Sequence, residues 1–121
     1  MEGKDFEDLT LWQKSMDLVE GVYKISSLFP KEELYGLTSQ IRRAAVSIPS
    51  NVAEGNTRQS KKEFYYFLTV AHGSLTELKT QLLIAQRLQY VMDTECTEIL
   101  ILTEEIARML HGLKRFLKSN I

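Results

Sequence analysis

Histidine and cysteine are the residues of this sequence that could form a transition-metal site. The two histidines, His72 and His111, lie 39 residues apart, and neither has a glutamate three positions before it, as di-iron sites in helical bundles require. The single cysteine, Cys96, has no neighbouring pattern of metal ligands. The sequence therefore predicts no zinc or iron site, and each histidine is interpreted as an ordinary helix residue.

Glutamates provide the second candidate chemistry, a magnesium-dependent hydrolase of nucleotides. Glu95, Glu98, Glu104 and Glu105 form an acidic cluster, but octahedral Mg²⁺ needs carboxylates that converge from more than one helix. A phosphate-binding glycine loop, an HExxH motif and a nucleophile elbow are absent from the sequence. A solvated acidic face is favoured, so we predict a non-enzymatic protein without cofactor or metal.

Composition indicates one soluble domain, residues 1–121. Hydrophobic residues make up 44% and charged residues 26% of the chain, while 6 Gly and 2 Pro predict few turns and long elements. One cysteine excludes an internal disulfide, and the start MEGKDFEDL does not resemble a signal peptide. Apolar runs are too short to span a membrane. We expect a cytoplasmic protein.

Apolar residues recur at steps of three and four along four segments, and no segment has the period of two of a strand. The sequence thus predicts an all-α fold, an antiparallel four-helix bundle with short connections. The first helix carries two apolar stripes. They are Leu9, Trp12, Met16, Val19 and Tyr23, and secondly Leu11, Leu18, Val22, Ile25 and Phe29. Since the second stripes of helices one and four would be exposed in a single chain, we predict a homo-oligomer. A monomer with broad core faces is the alternative.

The other helices are predicted from their ends and faces. Helix two begins near residues 31–33, and Gly55 ends it in the left-handed conformation. Ser60 with Glu63 caps helix three, and Asp93 or Thr94 caps helix four. The apolar face of helix two is Leu34, Leu37, Ile41, Ala45, Ile48 and Val52; that of helix three is Phe64, Leu68, Ala71, Leu75, Leu78, Leu82 and Ala85. Helix four carries Ile99, Leu102, Ile106, Met109, Leu113 and Phe116, then Leu100, Ala107, Leu110 and Leu117.

Pro49 interrupts the pattern of helix two, because it has no amide hydrogen and its ring collides with the carbonyl of Ala45. The sequence predicts a kink there. Small residues flank the proline, and helix three offers Gly73 and Ser74 at its middle. We therefore predict a close crossing of helices two and three at Ala45, Pro49, Gly73 and Ser74.

Positive charge is concentrated in residues 42–62, which hold five bases and one acid, although the whole chain has a net charge of −1. The bases are Arg42, Arg43, Arg58, Lys61 and Lys62, and a second patch follows at Arg108, Lys114, Arg115 and Lys118. A polar stripe shares helix two with two of these arginines: Gln40, Ser47, Asn51 and Glu54. The stripe could be a solvated face, a network between subunits or a site for an RNA backbone.

Four consecutive aromatic residues, 64–67, cannot all face one core. Tyr65 and Tyr66 must point elsewhere, beside Lys61 and Lys62. They could stack on the bases of a single-stranded nucleic acid, but the rim of an oligomer interface is favoured because interfaces are enriched in tyrosine.

Three stretches carry a family resemblance: FEDLTLWQKSMDL, FPKEELYGLTSQIRRAAVSIPSNVAEGNTRQSKKEF and FLTVAHGSLTEL. The chain resembles, over nearly its whole length, the four-helix bundle family encoded in intervening sequences of bacterial 23S rRNA genes. This resemblance implies a left-handed up-and-down bundle that assembles as a homopentamer around a central channel. It also implies kinship with the pentameric accessory protein of diversity-generating retroelements, which binds RNA and reverse transcriptase through a basic surface.

The motif of this family falls here on Gln40, Arg42, Arg43, Ser47, Pro49, Asn51, Glu54, Gly55, Arg58, Ser74 and Glu77. We therefore expect a homo-oligomeric bundle, a pentamer by resemblance, that binds structured RNA or an RNA–protein complex through the basic segment. A protein-binding scaffold without a nucleic-acid role is the alternative, and nucleotide hydrolysis is a distant third.

Overall fold

The computed structural model describes residues 5–121, and within this range the chain forms a four-helix bundle. The α-helices are α1 (Thr10–Ser26), α2 (Leu37–Asn56), α3 (Lys61–Arg87) and α4 (Asp93–Ser119). Two short 3₁₀ helices, Phe6–Asp8 and Lys31–Glu33, precede α1 and α2. No strand occurs in the described range, so the predicted all-α class is confirmed. None of the helices described is both long enough and apolar enough to cross a membrane.

Each helix packs against the helices before and after it in the chain, and α4 closes the bundle against α1. Neighbouring helices are antiparallel. Across α2 and α3, the hydroxyls of Ser47 and Ser74 lie 2.8 Å apart. Across α3 and α4, Lys79 Nζ lies 2.9 Å from Glu104 Oε2. This arrangement brings the end of α2, the start of α3 and the end of α4 to one end of the bundle.

The predicted apolar face of α3 forms the centre of the core. Leu68, Leu78 and Leu82 are fully buried, and Phe64 packs partly buried at the edge. The whole buried set on this face is Leu68, Ala71, Leu75, Leu78, Leu82 and Ala85. Full burial of one leucine side chain stabilises a fold by about 1.5–3 kcal/mol, so this face holds α3 firmly against its neighbours.

The stripe of α1 that we expected to be exposed in a single chain is the one that the bundle buries. All five of its residues, from Leu11 to Phe29, lie in the core. The other stripe lies in a partly open groove, where Met16 and Tyr23 are exposed. In α4 both stripes contribute to the core, through Ile106 and Leu110 for example. The predicted assignment of the second stripes to a subunit interface was therefore wrong. In α1 the second stripe is itself the core face, and in α4 the centre of the core lies between the two stripes.

Helix α2 begins later than residues 31–33. That segment forms a 3₁₀ helix instead, and α2 starts at Leu37, whose amide donates to Glu33 Oε1 at 3.1 Å. This side chain satisfies one of the free amides of the first turn. Leu34 lies in the connection and is half exposed, so its predicted place on the core face was wrong.

The predicted caps agree with the structure for α3 and differ for α4. Ser60 Oγ accepts a hydrogen bond from the amide of Glu63 at 3.1 Å, as expected for an N-cap. For α4, Met92 occupies the cap position and has no side-chain cap bond, whereas Asp93 is the first helical residue. Asp93 there accepts from Gln86 Nε2 at 3.3 Å, and its charge suits the positive end of the helix dipole.

Pro49 lies buried within α2, whose helical backbone continues to Asn56. Nearby side chains bond to carbonyls of the same helix: Ser50 Oγ donates to the carbonyl of Val46 at 2.8 Å, and Asn51 Nδ2 to that of Ser47 at 2.8 Å. Neither carbonyl is the one at Ala45 that the proline leaves without its usual amide partner. The kink at Pro49 stays a prediction.

Two glycines have roles that differ from those predicted. Gly55 lies inside α2 in the right-handed conformation, because the helix runs one residue beyond it. A Cβ at Gly55 would lie 2.8 Å from Phe64 Cδ1 and 2.8 Å from Phe67 Cβ, so the absence of a side chain is what allows α3 to pack there. Gly73, by contrast, is exposed, and a Cβ there would meet no atom within 4 Å. Its predicted place in the crossing was wrong, since it points away from α2.

Alanine substitutions distinguish these two glycines. Gly55→Ala should destabilise the fold by about 1–3 kcal/mol, because Phe64 and Phe67 would have to move. Gly73→Ala should be neutral or stabilising by up to about 1 kcal/mol, because alanine is the better helix former and space is available. Chemical denaturation of both variants measures the difference. Equal stability of the two variants would contradict a close contact at Gly55.

Candidate nucleic-acid interface

The antiparallel packing of α3 and α4 joins two basic segments that are far apart in sequence. Lys114 Nζ lies 5.2 Å from the ring centroid of Tyr65, a distance suited to a cation–π contact. The start of α3 therefore lies beside the end of α4. We define the basic end of the bundle by its six cations: Arg58, Lys61, Lys62, Lys114, Arg115 and Lys118.

Most of these cations are free to attract an anion. Lys61, Lys62, Arg115 and Lys118 are exposed, and none of them forms an ion pair within the described residues. Arg58 is partly neutralised, because its Nη2 lies 2.7 Å from Glu54 Oε2. Its guanidinium also lies 4.9 Å from the ring centroid of Phe67, which holds it over the turn between α2 and α3.

Most acidic residues at the basic end lie on the side of the bundle that α1 and α2 form, away from the cations of α3 and α4. Asp5, Glu7 and Asp8 belong to the segment around the first 3₁₀ helix, which packs against α1 and α2. Glu63 is the acid on the first turn of α3 itself. The positive potential is therefore strongest over the α3–α4 side, and it extends over a Debye length of about 8 Å at physiological salt.

Arg42 and Arg43 lie apart from the basic end. They are in the second turn of α2, whose 20 residues span roughly 30 Å, while Arg58 lies beyond the other end of that helix. Arg42 is held against α1, with Nε 2.8 Å from Ser26 Oγ and its guanidinium 4.6 Å from the centroid of the Tyr23 ring. The five bases that are clustered in sequence are thus divided between two places in the bundle.

The two tyrosines of the aromatic run differ in exposure. Tyr65 is partly buried against the core, beneath the ammonium group of Lys114. Tyr66 is 61% exposed, and its ring meets that of Phe67 edge to face at a centroid distance of 5.3 Å. Phe116 on α4 is also exposed, so the basic end presents two aromatic rings to solvent.

The polar stripe of α2 contacts α3 of the same chain. Asn51 Nδ2 donates to Ser47 Oγ at 3.0 Å, and that hydroxyl bonds with Ser74. Ser47 and Asn51 are partly buried, whereas Gln40 and Glu54 are exposed. Ser74 therefore lies at the α2–α3 contact. Ala45 and Pro49 are buried in α2, and Pro49 lines a groove on the side of α1. This network fixes the register of the two helices within one chain.

Further along the same contact, Gln81 is buried and donates through Nε2 to Glu77 Oε2 at 3.2 Å and Gln40 Oε1 at 3.5 Å. Its Oε1 is buried without a hydrogen-bond partner within the described part of the chain.

An apolar groove separates α1 from α2. Its larger section has a volume of ≈ 630 Å³ and its smaller section ≈ 340 Å³, and Val46 borders both. Tyr35 on the rim is 93% exposed. The apolar residues that line the groove are Tyr23, Leu34, Tyr35 and Val46 in the larger section, and Trp12, Met16, Val19, Val46, Pro49 and Ala53 in the smaller. Arg42 and Arg43 border the larger section.

The two histidines form a pair that the sequence interpretation missed. The rings of His72 and His111 lie edge to face with a centroid distance of 5.2 Å. The separation of 39 residues suggested no relation, but an antiparallel hairpin of α3 and α4 pairs residues that are distant in sequence. Within the described residues, no group of three or more histidine, cysteine, aspartate or glutamate side chains is placed to hold a metal ion.

Burial, the Lys114 ammonium and His111 together lower the pKa of His72 below its ordinary value of 6.5. The pKa values of two other groups on α4 are also shifted by their surroundings. Burial raises the pKa of the Cys96 thiol, which leaves it a poor ligand, and Lys79 lowers the pKa of Glu104. The shift at His72 favours its neutral form in the folded protein.

The pH dependence of stability provides a test of this pair. Since the folded pKa of His72 is below the unfolded value, the histidine contributes stability above pH 6.5 that is lost as the pH falls through the folded pKa. His72→Gln should flatten the loss of stability below pH 6.5, and Lys114→Gln should raise the pKa of His72. Proton NMR of the imidazole measures that pKa. A midpoint at or above 6.5 in the wild type would contradict this prediction.

The chain is similar to known proteins in its sequence and in its fold. Residues 7–112 match the family model described as 23S rRNA-intervening sequence protein. A crystal structure of a protein of unknown function from the S23 ribosomal protein family of Bacteroides thetaiotaomicron VPI-5482 superposes with a TM-score of 0.80. The two chains are 22% identical, and the match covers 87% of this chain and 95% of that one. Comparison with curated proteins finds no match.

Proposed function

Because the chain belongs to the family of 23S rRNA-intervening sequence proteins, we propose that it is a non-enzymatic homo-oligomer that binds structured RNA, alone or within an RNA–protein complex, through the basic end. The observation that carries this proposal is the contact of Lys114 with Tyr65, because it joins the bases of α4 to those of α3. The proposed location is the bacterial cytoplasm, where rRNA is present.

The charge distribution supports a phosphate-binding role. Exposed lysine and arginine side chains release condensed counterions when they neutralise phosphates, which is the main source of sequence-independent affinity. Four such cations, Lys61, Lys62, Arg115 and Lys118, lie on two adjacent helix ends without acidic partners within the described residues. A net charge of −1 on the chain restricts the attraction to this local surface.

Aromatic side chains on the same surface suit RNA better than duplex DNA. Unstacked bases of loops and single strands stack on exposed rings, and each stack contributes about 1–3 kcal/mol. Tyr66 and Phe116 are exposed on the same two helix ends that carry the cations. The basic end thus offers charges for the backbone and rings for splayed bases, while bases that are stacked inside a duplex would not reach these rings.

Self-association is the second part of the proposal, and family resemblance suggests a pentamer. The apolar groove between α1 and α2 supports it, because exposed Met16, Tyr23, Val46 and Tyr35 form a contiguous apolar surface of the kind that marks protein contacts. A ring of subunits would repeat the basic end around its axis. Several weak RNA contacts would then act together, which raises the overall affinity without new contacts in any subunit.

A protein-binding scaffold is the second candidate function, and the same groove is the observation that favours it. A partner helix could place its apolar face in the groove and its acidic residues near Arg43, which is exposed on the rim. In that case the groove would be open in the isolated protein, and the chain would stay monomeric until it meets the partner.

Salt titration of RNA binding tests the first proposal. For single-stranded RNA, log affinity falls with log salt at a slope of about 0.7 per phosphate contact. Two double variants should each flatten that slope by about 1.4 per engaged subunit. They are Lys61→Gln with Lys62→Gln, and Arg115→Gln with Lys118→Gln. Tyr66→Ala should weaken binding and leave the slope unchanged, because a stacked base releases no counterion. Fluorescence anisotropy with 23S-derived and unrelated RNAs measures both effects.

A matched double substitution controls for net charge. Lys24 and Lys31 are exposed bases at the opposite end of the bundle, so Lys24→Gln with Lys31→Gln should leave the slope unchanged. Arg43→Gln should also leave it unchanged, since Arg43 lies apart from the basic end. Equal losses in the control and in the α3 and α4 variants would show that binding depends on net charge alone. Absence of RNA binding at low salt by an intact oligomer would favour the protein scaffold.

Light scattering tests the oligomer. The wild type should exceed the 13.9 kDa of one chain at micromolar concentration, and Val46→Glu should dissociate it, because a charge would be placed in the apolar groove. Thr80→Glu adds the same charge at an exposed position of α3 and should leave the assembly intact. A 13.9 kDa wild-type species would contradict self-association, and an assembled Val46→Glu variant would exclude the groove as its interface.

A further inference from the structure

The imidazoles of His72 and His111 are the only two in the chain, and the bundle brings them into contact from adjacent helices. His111 is exposed and His72 partly buried, so an ion from solvent can reach the pair. Neither ring is part of the basic end or of the apolar groove. Neutral imidazole nitrogens are strong donors toward zinc, copper and nickel, so this unassigned pair has the chemistry of a metal site.

The spacing of the rings suits one shared ion. With Zn–N bonds of about 2.0–2.1 Å and a tetrahedral angle at the metal, two ligating imidazoles have ring centres roughly 5 Å apart. The observed centroid distance is 5.2 Å. The ring planes are at 88° to each other, and rotation about χ2, which is a soft torsion, can direct one nitrogen of each ring toward a common point.

From this geometry we propose that His72 and His111 form a two-histidine site for a borderline divalent transition-metal ion such as Zn²⁺, which links α3 to α4. Water completes the coordination, so the ion exchanges with solvent. Magnesium and calcium are excluded, because they require oxygen ligands. Cys96, the one thiol of the chain, is fully buried and does not compete for the ion.

Charges around the pair limit its affinity. Lys114 is close enough to His72 to lower its pKa, and the same positive charge repels a divalent cation. Arg108 is one helical turn before His111 on α4, whereas Glu104 is already paired with Lys79. Lys114→Gln should therefore strengthen zinc binding, although it removes no ligand. A purely structural histidine pair would show no such gain.

Calorimetric titration of the full chain with Zn²⁺ at pH 7.5–8 tests the site, with Mg²⁺ as the control ion. The wild type should bind one zinc ion per chain, and its melting temperature should rise with zinc but not with magnesium. Loss of a residue that only hydrogen-bonds to a metal ligand weakens metal binding by about 10–100-fold. His72→Gln and His111→Gln each remove a ligand, so each should weaken zinc binding by at least that factor. Neither variant should show the zinc-dependent rise in melting temperature.

Cys96→Ser is the matched control and should bind zinc like the wild type, because the thiol is buried. Circular dichroism without metal establishes that the glutamine variants are folded. Zinc binding that is equal in the wild type and in both glutamine variants would overturn the proposal, because the ion would then lie elsewhere. Absence of wild-type binding at millimolar zinc would overturn it too. RNA is not present in any of these measurements, so their outcome is separate from that of the proposed function.

Discussion

The antiparallel packing of α3 against α4 is the constraint on which both candidate sites depend. The buried leucines of α3 hold the helix in one orientation, and Cys96, Ile99, Ile106 and Leu110 pack from α4. Once this register is set, residues near 65, 72 and 79 of α3 meet residues near 114, 111 and 104 of α4. The basic end and the histidine pair are two consequences of one apolar contact.

The α2–α3 contact adds a second constraint. Gly55 leaves room for Phe64 and Phe67, and the Ser47–Ser74 hydrogen bond fixes the same register from the middle of the helices. Arg58 is three residues after Gly55, so the contact at this glycine also determines where the Arg58 side chain lies at the basic end. Several residues that the sequence analysis singled out, among them Ser47, Gly55 and Ser74, therefore serve the packing of α2 on α3, while the exposed cations of α3 and α4 lie outside that contact.

Periodicity was enough to predict much of the fold. The steps of three and four between apolar residues of α3 identified its buried face, and the Ser60 cap was predicted from two residues three positions apart. The sequence predictions failed where two faces of a helix, or two glycines, have the same sequence pattern. Two apolar stripes of similar composition run along α1, and the sequence does not say which one the neighbouring helices cover. The sequence likewise does not tell which of Gly55 and Gly73 lies at a contact between helices. In the structure, only Gly55 of these two meets a partner helix within van der Waals distance.

The sequence by itself determined the class of fold, the lengths of the helices to within a few residues and the kinds of side chain available, because these follow from local backbone preference and from the separation of apolar and polar faces. Tertiary structure alone decided which side chains meet. It separated Arg43 from Lys61, placed Lys61 and Lys118 at the same end of the bundle and brought His72 into contact with His111. The physical reason is that contacts between helices depend on register and on which faces are buried together, and neither is encoded in the spacing of residues along one helix.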